Sequence, residues 1–102
     1  MAIVARFSFD VPFGKKSEAL AILEEGAGIE AEVGFPKPRR MVGSIGTPES
    51  RIEEHFEFES LAALEATWAK LNNPKMAEFM KRLAPYVVPG SHRWEVLRIV
   101  GE

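Results

Sequence analysis

The side chains best suited to proton transfer lie in one alternating segment of the chain. Glu54 shares the parity of Ile52, Phe56 and Phe58, so it belongs to the side of a strand that those apolar residues face. Burial disfavours the charged form of a carboxyl and would raise the pKa of Glu54 toward the range of a general acid or base. Glu54 is therefore the leading catalytic candidate. The alternatives are that a bulge turns it to solvent or that an arginine pairs with it.

His55 lies on the opposite side of the same segment, between Glu53 and Glu57. An imidazole flanked by carboxylates can carry a proton or act as a weak metal ligand, and His55 is the second catalytic candidate. The alternative is an ion-pair network on that side of the sheet, with partners drawn from Arg6, Arg40, Arg51 and Arg98. His92 is the only other histidine, and no metal site is predicted.

Tyr86 and Arg93 lie near the start of the last predicted strand. There a hydroxyl and a guanidinium can orient a carboxylate or an enolate, which makes Tyr86 a third catalytic candidate and Arg93 a ligand-binding one. Solvated surface or dimer contacts explain them equally well. The aromatic side chains predicted to line a binding pocket, with ordinary core packing as the alternative, are Phe7, Phe56, Trp68 and Phe79.

Alternating β and α segments position these residues. Period-two alternation predicts strands at 3–10 and 51–58, and weaker patterns predict strands at 39–45 and 92–100. Helical periodicity starts at Lys15, again after the N-cap Ser60, and again at Asn73-Pro74, until Pro85 ends it. Gly26 and Gly28 weaken the first helix and would let it pack closely, kink or end early.

The resulting βαββαβ order predicts an α+β, ferredoxin-like domain with helices on one face of a four-stranded antiparallel sheet. Strand parity sends Leu97 and Ile99 toward the helices and leaves Trp94, Val96 and Val100 on the open face. A face that apolar would not stay exposed to water. The sequence therefore predicts a homodimer formed by pairing two such sheets.

Composition narrows the classes of function. A chain of 102 residues fits one domain, taken as residues 1–102. The absence of cysteine excludes disulfides, thiolate nucleophiles and iron–sulfur clusters, and a formal net charge of −2 argues against nucleic acid as a partner. No apolar run is long enough to span a membrane and no secretory signal pattern opens the sequence, so a cytoplasmic protein without a membrane partner is expected. No motif for a cofactor is present, and none is predicted.

Several motifs together resemble the dimeric α/β-barrel superfamily, and within it most nearly the NIPSNAP-like domains. They extend over nearly the whole chain and are Val11-Pro12-Phe13-Gly14, Glu18-Ala19-Leu20, Phe56-Glu57-Phe58-Glu59-Ser60, Trp68-Ala69-Lys70-Leu71-Asn72-Asn73-Pro74 and Arg93-Trp94-Glu95-Val96-Leu97-Arg98. The resemblance implies a homodimer whose two sheets close into a barrel, with a ligand cleft between sheet and helices in each subunit. Relatives include cofactor-free monooxygenases, isomerases and cyclases, and proteins without known activity.

Two functions from different classes follow. In the first, the protein binds an apolar or aromatic metabolite in the sheet–helix cleft and performs cofactor-independent isomerase, cyclase or monooxygenase chemistry, for which Glu54 with Tyr86 or His55 would transfer protons. In the second, it is a non-catalytic dimeric binding or assembly module whose polar residues serve solubility and pairing. The parity of Glu54 favours the first, while the shared fold by itself favours neither.

Overall fold

The computed structural model describes residues 2–101, so the predicted domain extends one residue beyond the described part at each end. Strands and helices follow in the predicted order, with the second helical region divided in two. Their bounds are β1 Ile3–Asp10, α1 Lys16–Glu32, β2 Arg39–Val42, β3 Arg51–Phe58, α2 Leu61–Trp68, α3 Pro74–Leu83 and β4 Arg93–Arg98.

The four strands form one antiparallel sheet in the order β2-β3-β1-β4. Helices α1, α2 and α3 cover one face, and the core lies between that face and the helices. This is the predicted ferredoxin-like α+β fold, which is therefore confirmed. The central strands β1 and β3 carry most of the core, since each has a neighbour on both edges.

Side-chain caps place the helices after β3. The Ser60 hydroxyl accepts a hydrogen bond from the Ala63 amide, and the Asn73 side chain accepts one from the Met76 amide, with Pro74 at the first helical position. Helix α3 ends at Leu83 and continues as a short 3₁₀ turn. The chain therefore reverses twice between β3 and β4 at the positions that the sequence indicates.

Strand β2 ends at Val42, before the predicted end at residue 45. The reason lies at Gly43, where an added Cβ atom would lie 1.7 Å from the Pro48 carbonyl oxygen. No residue with a side chain fits there, and the Gly43 amide donates to the Arg51 carbonyl 2.9 Å away. The hairpin loop thus begins at this glycine rather than at Gly46.

The prediction for the faces of β4 was wrong. Trp94 lies opposite Phe7 and Val96 opposite Ala5, so both are on the helix side of the sheet. Leu97 lies opposite Val4, on the open face. Directly opposed residues in an antiparallel pair point to the same face, and a pattern that is apolar on both sides of an edge strand does not fix its register.

Close packing of α1 on α3 depends on Gly26. An added Cβ atom at Gly26 would lie 2.2 Å from the Phe79 ring, whereas one at Gly28 meets nothing within 4 Å. Of the predicted roles for these glycines, close packing therefore applies to Gly26. The Phe79 ring occupies the space that a side chain would fill, and this fixes the distance between the two helices that enclose the site.

Candidate functional site

A cleft of about 620 Å³ lies between the helix side of the sheet and helices α1 and α3. Its walls are mostly apolar, and the ionisable groups among its lining residues are Glu30, Glu54 and His92. The lining residues that are exposed, and so mark the mouth, are Met80, Ala84, Pro89, His92 and Trp94. The other lining residues are Phe7, Leu23, Phe35, Leu71, Met76, Phe79, Leu83 and Val87. Volume and apolar walls match what small-molecule sites require.

An aromatic cluster forms the sheet side of the cleft. Trp94 stacks on Phe7 with ring centroids 4.9 Å apart, and Phe35 lies 6.1 Å from Trp94. Phe56 packs behind them, 4.8 Å from Phe35. Trp68 meets the edge of Trp94 at 5.9 Å. Stacked, tilted and edge-on rings at these distances make a well-packed aromatic wall against which an apolar or aromatic ligand can pack.

Glu54 contributes the buried carboxylate of the sheet wall, with a side chain only 1% exposed. The directly opposite residue on β2 is Arg40, whose Nη2 and Nε donate to Glu54 Oε2 at 2.8 and 3.1 Å. Burial raises the pKa of Glu54, and the hydrogen bond and charge of Arg40 oppose that rise. The anticipated alternative, an arginine partner, is thus what the structure places here, while Glu54 still faces the cleft.

Arg40 contacts both the buried carboxylate of Glu54 and the exposed carboxylate of Glu24. Its Nη1 donates to Glu24 Oε2 at 3.1 Å, and the Glu24 side chain is 78% exposed. Two hydrogen bonds to one oxygen of Glu54 and a single hydrogen bond to Glu24 hold the guanidinium at the rim of the core. Both contacts with Glu54 are made to Oε2, so Arg40 does not engage Oε1.

Glu30 is a second cleft carboxyl, and it was not among the predicted site residues. Its Oε1 is buried without a hydrogen-bond partner within residues 2–101. Burial and, to a lesser degree, the nearby charge of Glu54 raise the pKa of Glu30 to about 8, while the charge of Arg40 opposes the rise. A carboxyl with that pKa is largely protonated at neutral pH and can donate a hydrogen bond.

A sequence signal for Glu30 existed. The residues of α1 that face the core are Ala19, Leu23 and Gly26, and Glu30 continues their 4, 3, 4 spacing. An acid on the buried stripe of an amphipathic helix is as unusual as one on the buried side of a strand. Strand alternation indicates Glu54, whereas only the helical periodicity of α1 indicates Glu30.

The other predicted residues are distributed over both faces of the sheet. Phe7 and Phe79 line the cleft, while Phe56 and Trp68 contact its aromatic wall from outside. Tyr86 lies in the 3₁₀ turn after α3 and packs against the edge of the core without lining the cleft.

His55 and Arg93 lie on the open face, where Arg6 pairs with His55 and Ser8 with Arg93 in the strand registers. The sheet therefore separates them from Glu54.

The open face carries a network of charges. His55 Nε2 lies 3.0 Å from Glu53 Oε1, and Arg51 contacts Asp10 at 3.1 Å and Glu53 at 3.9 Å. Arg6 Nη2 donates to Glu95 Oε1 at 2.7 Å. Of the arginines named as partners for His55, Arg40 and Arg98 lie on the other side of the sheet, since they oppose Glu54 and Ile3, and that assignment was wrong.

The cleft is thus an apolar chamber with two carboxyls at its inner wall, and the Arg40 guanidinium contacts one of them from outside the cleft. One of the carboxyls retains a proton at neutral pH and the other is compensated by Arg40, so the pair can both donate and accept a proton within a small space. Within residues 2–101, no three His, Asp or Glu side chains are grouped as metal ligands.

Comparison with known proteins supports the fold. Two of the most similar solved structures are a NIPSNAP family protein from Agrobacterium tumefaciens, 24% identical over 96% of this chain and 92% of that one with a TM-score of 0.81, and an uncharacterized NIPSNAP domain protein from Burkholderia xenovorans, 21% identical over 96% and 94% with a TM-score of 0.81. SnoaB, a cofactor-independent oxygenase from Streptomyces nogalater, is 11% identical over 99% and 95% with a TM-score of 0.72.

No protein-family model and no curated protein matches the sequence. At these identities the likeness establishes a fold rather than an activity, and the predicted resemblance to NIPSNAP-like domains of the ferredoxin-like class is confirmed at that level. None of the helices in the described part of the chain has the length and apolar character needed to cross a membrane.

Proposed function

We propose that the cleft binds an uncharged apolar or aromatic metabolite bearing a carbonyl or hydroxyl group, and that Glu30 and Glu54 move protons to and from it. The observation that carries this proposal is the unpartnered, buried Oε1 of Glu30 in the wall of an otherwise apolar cleft. A buried polar atom without a partner costs free energy that a ligand hydrogen bond would recover. Buried polar groups that are unfavourable for stability are found preferentially at functional sites.

The two carboxyls have different roles in this proposal. Glu30, protonated at neutral pH, donates a hydrogen bond to the ligand oxygen. Glu54, with its charge compensated by Arg40, accepts a proton from the adjacent carbon or hydroxyl. Abstraction of a proton next to a carbonyl, giving an enolate, is the step that isomerase, cyclase and cofactor-independent monooxygenase chemistry share. The likeness in fold to SnoaB is consistent with that chemistry.

Exchange of the α-protons of 1-tetralone in D₂O, followed by NMR, tests the proton transfer. The wild-type protein should catalyse exchange above the buffer rate, and Glu30→Gln should slow it by roughly a hundredfold, the lower end for loss of a general acid. Glu53→Gln changes the neighbouring glutamate on the open face and serves as the control, with unchanged exchange. Equal exchange by the Glu30→Gln variant would contradict the role of Glu30.

Binding is tested separately by calorimetry with 1-naphthol and 1-naphthoate, which share a ring system and differ in charge. The cleft should bind the naphthol and reject the carboxylate, because no lysine or arginine of residues 2–101 lines the cleft to compensate the charge of the anion. Ala84→Trp at the mouth should abolish naphthol binding, while Ala62→Trp on the outside of α2 should not. Binding without tetralone exchange would favour the alternative function, a non-catalytic binding module, and binding of neither probe would leave an assembly module.

We further propose that the protein is a homodimer formed through the open face of the sheet. That face carries both signs of charge, so a two-fold axis can place each sign against its opposite. Arg6 Nε is buried there without a partner in the described chain, which a second subunit could supply. Strand β4 is an unpaired edge with exposed Val96 and Leu97 on its two sides.

The expected location remains the cytoplasm.

Sedimentation at micromolar concentration tests the dimer. Glu95→Arg should shift the protein toward monomer by placing like charges around Arg6, and the double variant Arg6→Glu/Glu95→Arg should restore the dimer. Glu65→Arg on the exposed side of α2 makes the same charge change away from the open face and should leave the dimer intact. A wild-type monomer at that concentration would refute the proposal.

A further inference from the structure

Glu30 belongs to the walls of two different spaces. One is the apolar cleft, and the other is a smaller depression of about 320 Å³ on the far side of α1, which we name the back pocket. The back pocket lies between the second half of α1 and the connection to β2, and its lining includes Glu24, Ala31, Lys37 and Arg40. Glu30 and Phe35 line both spaces, so only these side chains need separate them at this point.

The two sides of Glu30 differ in polarity. Among the lining residues at the mouth of the cleft, Met80, Ala84 and Pro89 are apolar and His92 is the one titratable group. The back pocket has charged side chains, of which Glu24 and Lys37 are exposed. The groups that face Glu30 are therefore Glu54 from β3, Arg40 from β2, Glu24 from its own helix, Lys37 from the connection and His92 across the cleft.

A ligand in the cleft would separate Glu30 from the water at the mouth. Protons move between oxygen or nitrogen atoms that are hydrogen-bonded directly or through water, and an apolar ligand offers no such path through its hydrocarbon part. For the carboxyl to lose or regain a proton during turnover, water must reach it from another direction. The hydrogen bond from Arg40 to the exposed Glu24 keeps the back pocket lined by polar groups out to the surface.

We infer that Glu30 exchanges its proton with bulk water through the back pocket while the apolar cleft is occupied. This inference rests on the proposed function, because it requires a ligand in the cleft. It gives the site two separate routes, an apolar mouth for the ligand and a polar opening for protons. The substrate class that suits such an arrangement is one that fills the cleft completely, with its polar atom directed at Glu30.

The absence of cysteine from the chain allows a direct test of access. A thiol introduced by Glu30→Cys is treated with the cationic reagent 2-(trimethylammonium)ethyl methanethiosulfonate, with and without saturating 1-naphthol. The same thiol is placed in the Ala31→Leu background, which fills the back pocket, and in the Ala21→Leu background, which makes the same change on α1 outside both spaces. Circular dichroism checks the fold of each variant.

With naphthol bound, the thiol should still react, and Ala31→Leu should slow that reaction by at least about tenfold while Ala21→Leu leaves it unchanged, since burial of a thiol limits its reaction. Complete protection by bound naphthol, or equal rates in the two backgrounds, would overturn the inference. Failure of naphthol to bind is a different result, because it counts against the proposed function, and the thiol rates without naphthol still show whether the back pocket reaches position 30.

A second measurement avoids the cysteine. In the otherwise unchanged protein, Ala31→Leu should slow tetralone exchange without weakening naphthol binding, and Ala21→Leu should alter neither. The expected reduction is about tenfold, less than the loss on Glu30→Gln, because the carboxyl remains and only its exchange with water is hindered. Unchanged exchange in Ala31→Leu, with wild-type exchange intact, would show that protons pass through the mouth.

Discussion

The adjacent glutamates 53 and 54 of β3 occupy two contrasting environments. Glu53 lies on the open face, where His55 and Arg51 both contact it and its side chain is 23% exposed. Glu54 lies on the helix side, 1% exposed, with Arg40 as the partner that compensates its charge. Successive residues of a strand face opposite sides of the sheet. The Glu53 carboxylate therefore belongs to a partly solvated network, whereas that of Glu54 lines an apolar cleft.

The difference lies in the ratio of cations to carboxyls. On the open face Arg6 pairs with Glu95, and Arg51 contacts both Asp10 and Glu53, so each carboxylate named in the network has an arginine within 4 Å. On the helix side Arg40 donates hydrogen bonds to Glu54 and to the exposed Glu24, while no cation within residues 2–101 forms an ion pair with Glu30. A buried carboxyl whose charge is incompletely compensated keeps its proton at a higher pH. In the proposed function, Glu30 donates that proton to the ligand.

The largest expected effect comes from removing the cation of the helix side. Arg40→Met should lower the free energy of unfolding at pH 7 by about 3 kcal/mol, because it leaves the Glu54 carboxylate buried and uncompensated. Arg51→Met makes the same change on the open face and, in the monomer, should cost less than about 1 kcal/mol. Urea unfolding measures both. Equal losses would mean that the two faces do not differ in the way described.

The deficit of Arg40→Met should also shrink on acidification. Once Glu54 binds a proton, no unpaired charge remains in the core, so the variant approaches wild type as the pH falls. A deficit that stays constant between pH 7 and pH 4 would indicate lost packing of the arginine stem rather than an unpaired carboxylate.

Glu30 gives the next effect, and its sign follows from its raised pKa. A carboxyl whose pKa is 4.5 in the unfolded chain and about 8 in the folded one contributes stability that is fully present below pH 4.5 and lost as the pH rises to 8. Glu30→Gln removes this dependence. The variant should equal wild type near pH 4.5 and exceed it at pH 9 by about 2 kcal/mol, below the full linkage value because the side chain is partly exposed.

Urea unfolding across that pH range measures the difference between wild type and Glu30→Gln. Glu53→Gln on the open face is the matched control, and its difference from wild type should not grow between pH 4.5 and 9. A Glu30→Gln curve parallel to wild type would show that the carboxyl titrates normally in the fold.

A smaller effect is expected where the two helices enclose the cleft. Gly26→Ala places a methyl group against the Phe79 ring and should cost about 1 kcal/mol, overpacking being partly offset by the better helix propensity of alanine. Gly28→Ala meets open space and should raise stability by up to about 1 kcal/mol. Naphthol calorimetry should show weaker binding only for Gly26→Ala. Equal naphthol binding by both variants would show that binding in the cleft does not depend on the distance between α1 and α3.

The strong periodic elements could be predicted from the sequence, and so could their order. Strands 3–10 and 51–58 appear with the predicted bounds, because their alternation is regular and each lies between two neighbours. The edge strands were predicted poorly. In β4, Trp94, Val96 and Leu97 are all apolar, so parity has no polar face to mark which side meets water, and the pairing with β1 decides it.

The candidate site was half predictable, for a physical reason. Glu54 was found because one strand pattern contains both the acid and its apolar neighbours. Arg40 as its partner depends on the register between β2 and β3, and the proximity of Glu30 depends on how α1 crosses the sheet. The periodicity of one segment predicts neither the register between two strands nor the angle at which a helix crosses the sheet. Individual site residues could therefore be predicted from the sequence, but their proximity to one another could not.

The smallest expected effect tests the open face itself. Glu53→Gln removes one carboxylate from the network formed by His55 and Arg51, and in the monomer the stability in urea should change by less than about 0.5 kcal/mol at pH 7. The network tolerates this because Arg51 keeps Asp10 as a partner 3.1 Å away. In the proposed homodimer, which buries the open face, the same change lowers stability in a manner that depends on protein concentration. A loss above 1 kcal/mol that is independent of concentration would mean that Glu53 is as uncompensated as Glu54, and the contrast between the two faces would fail.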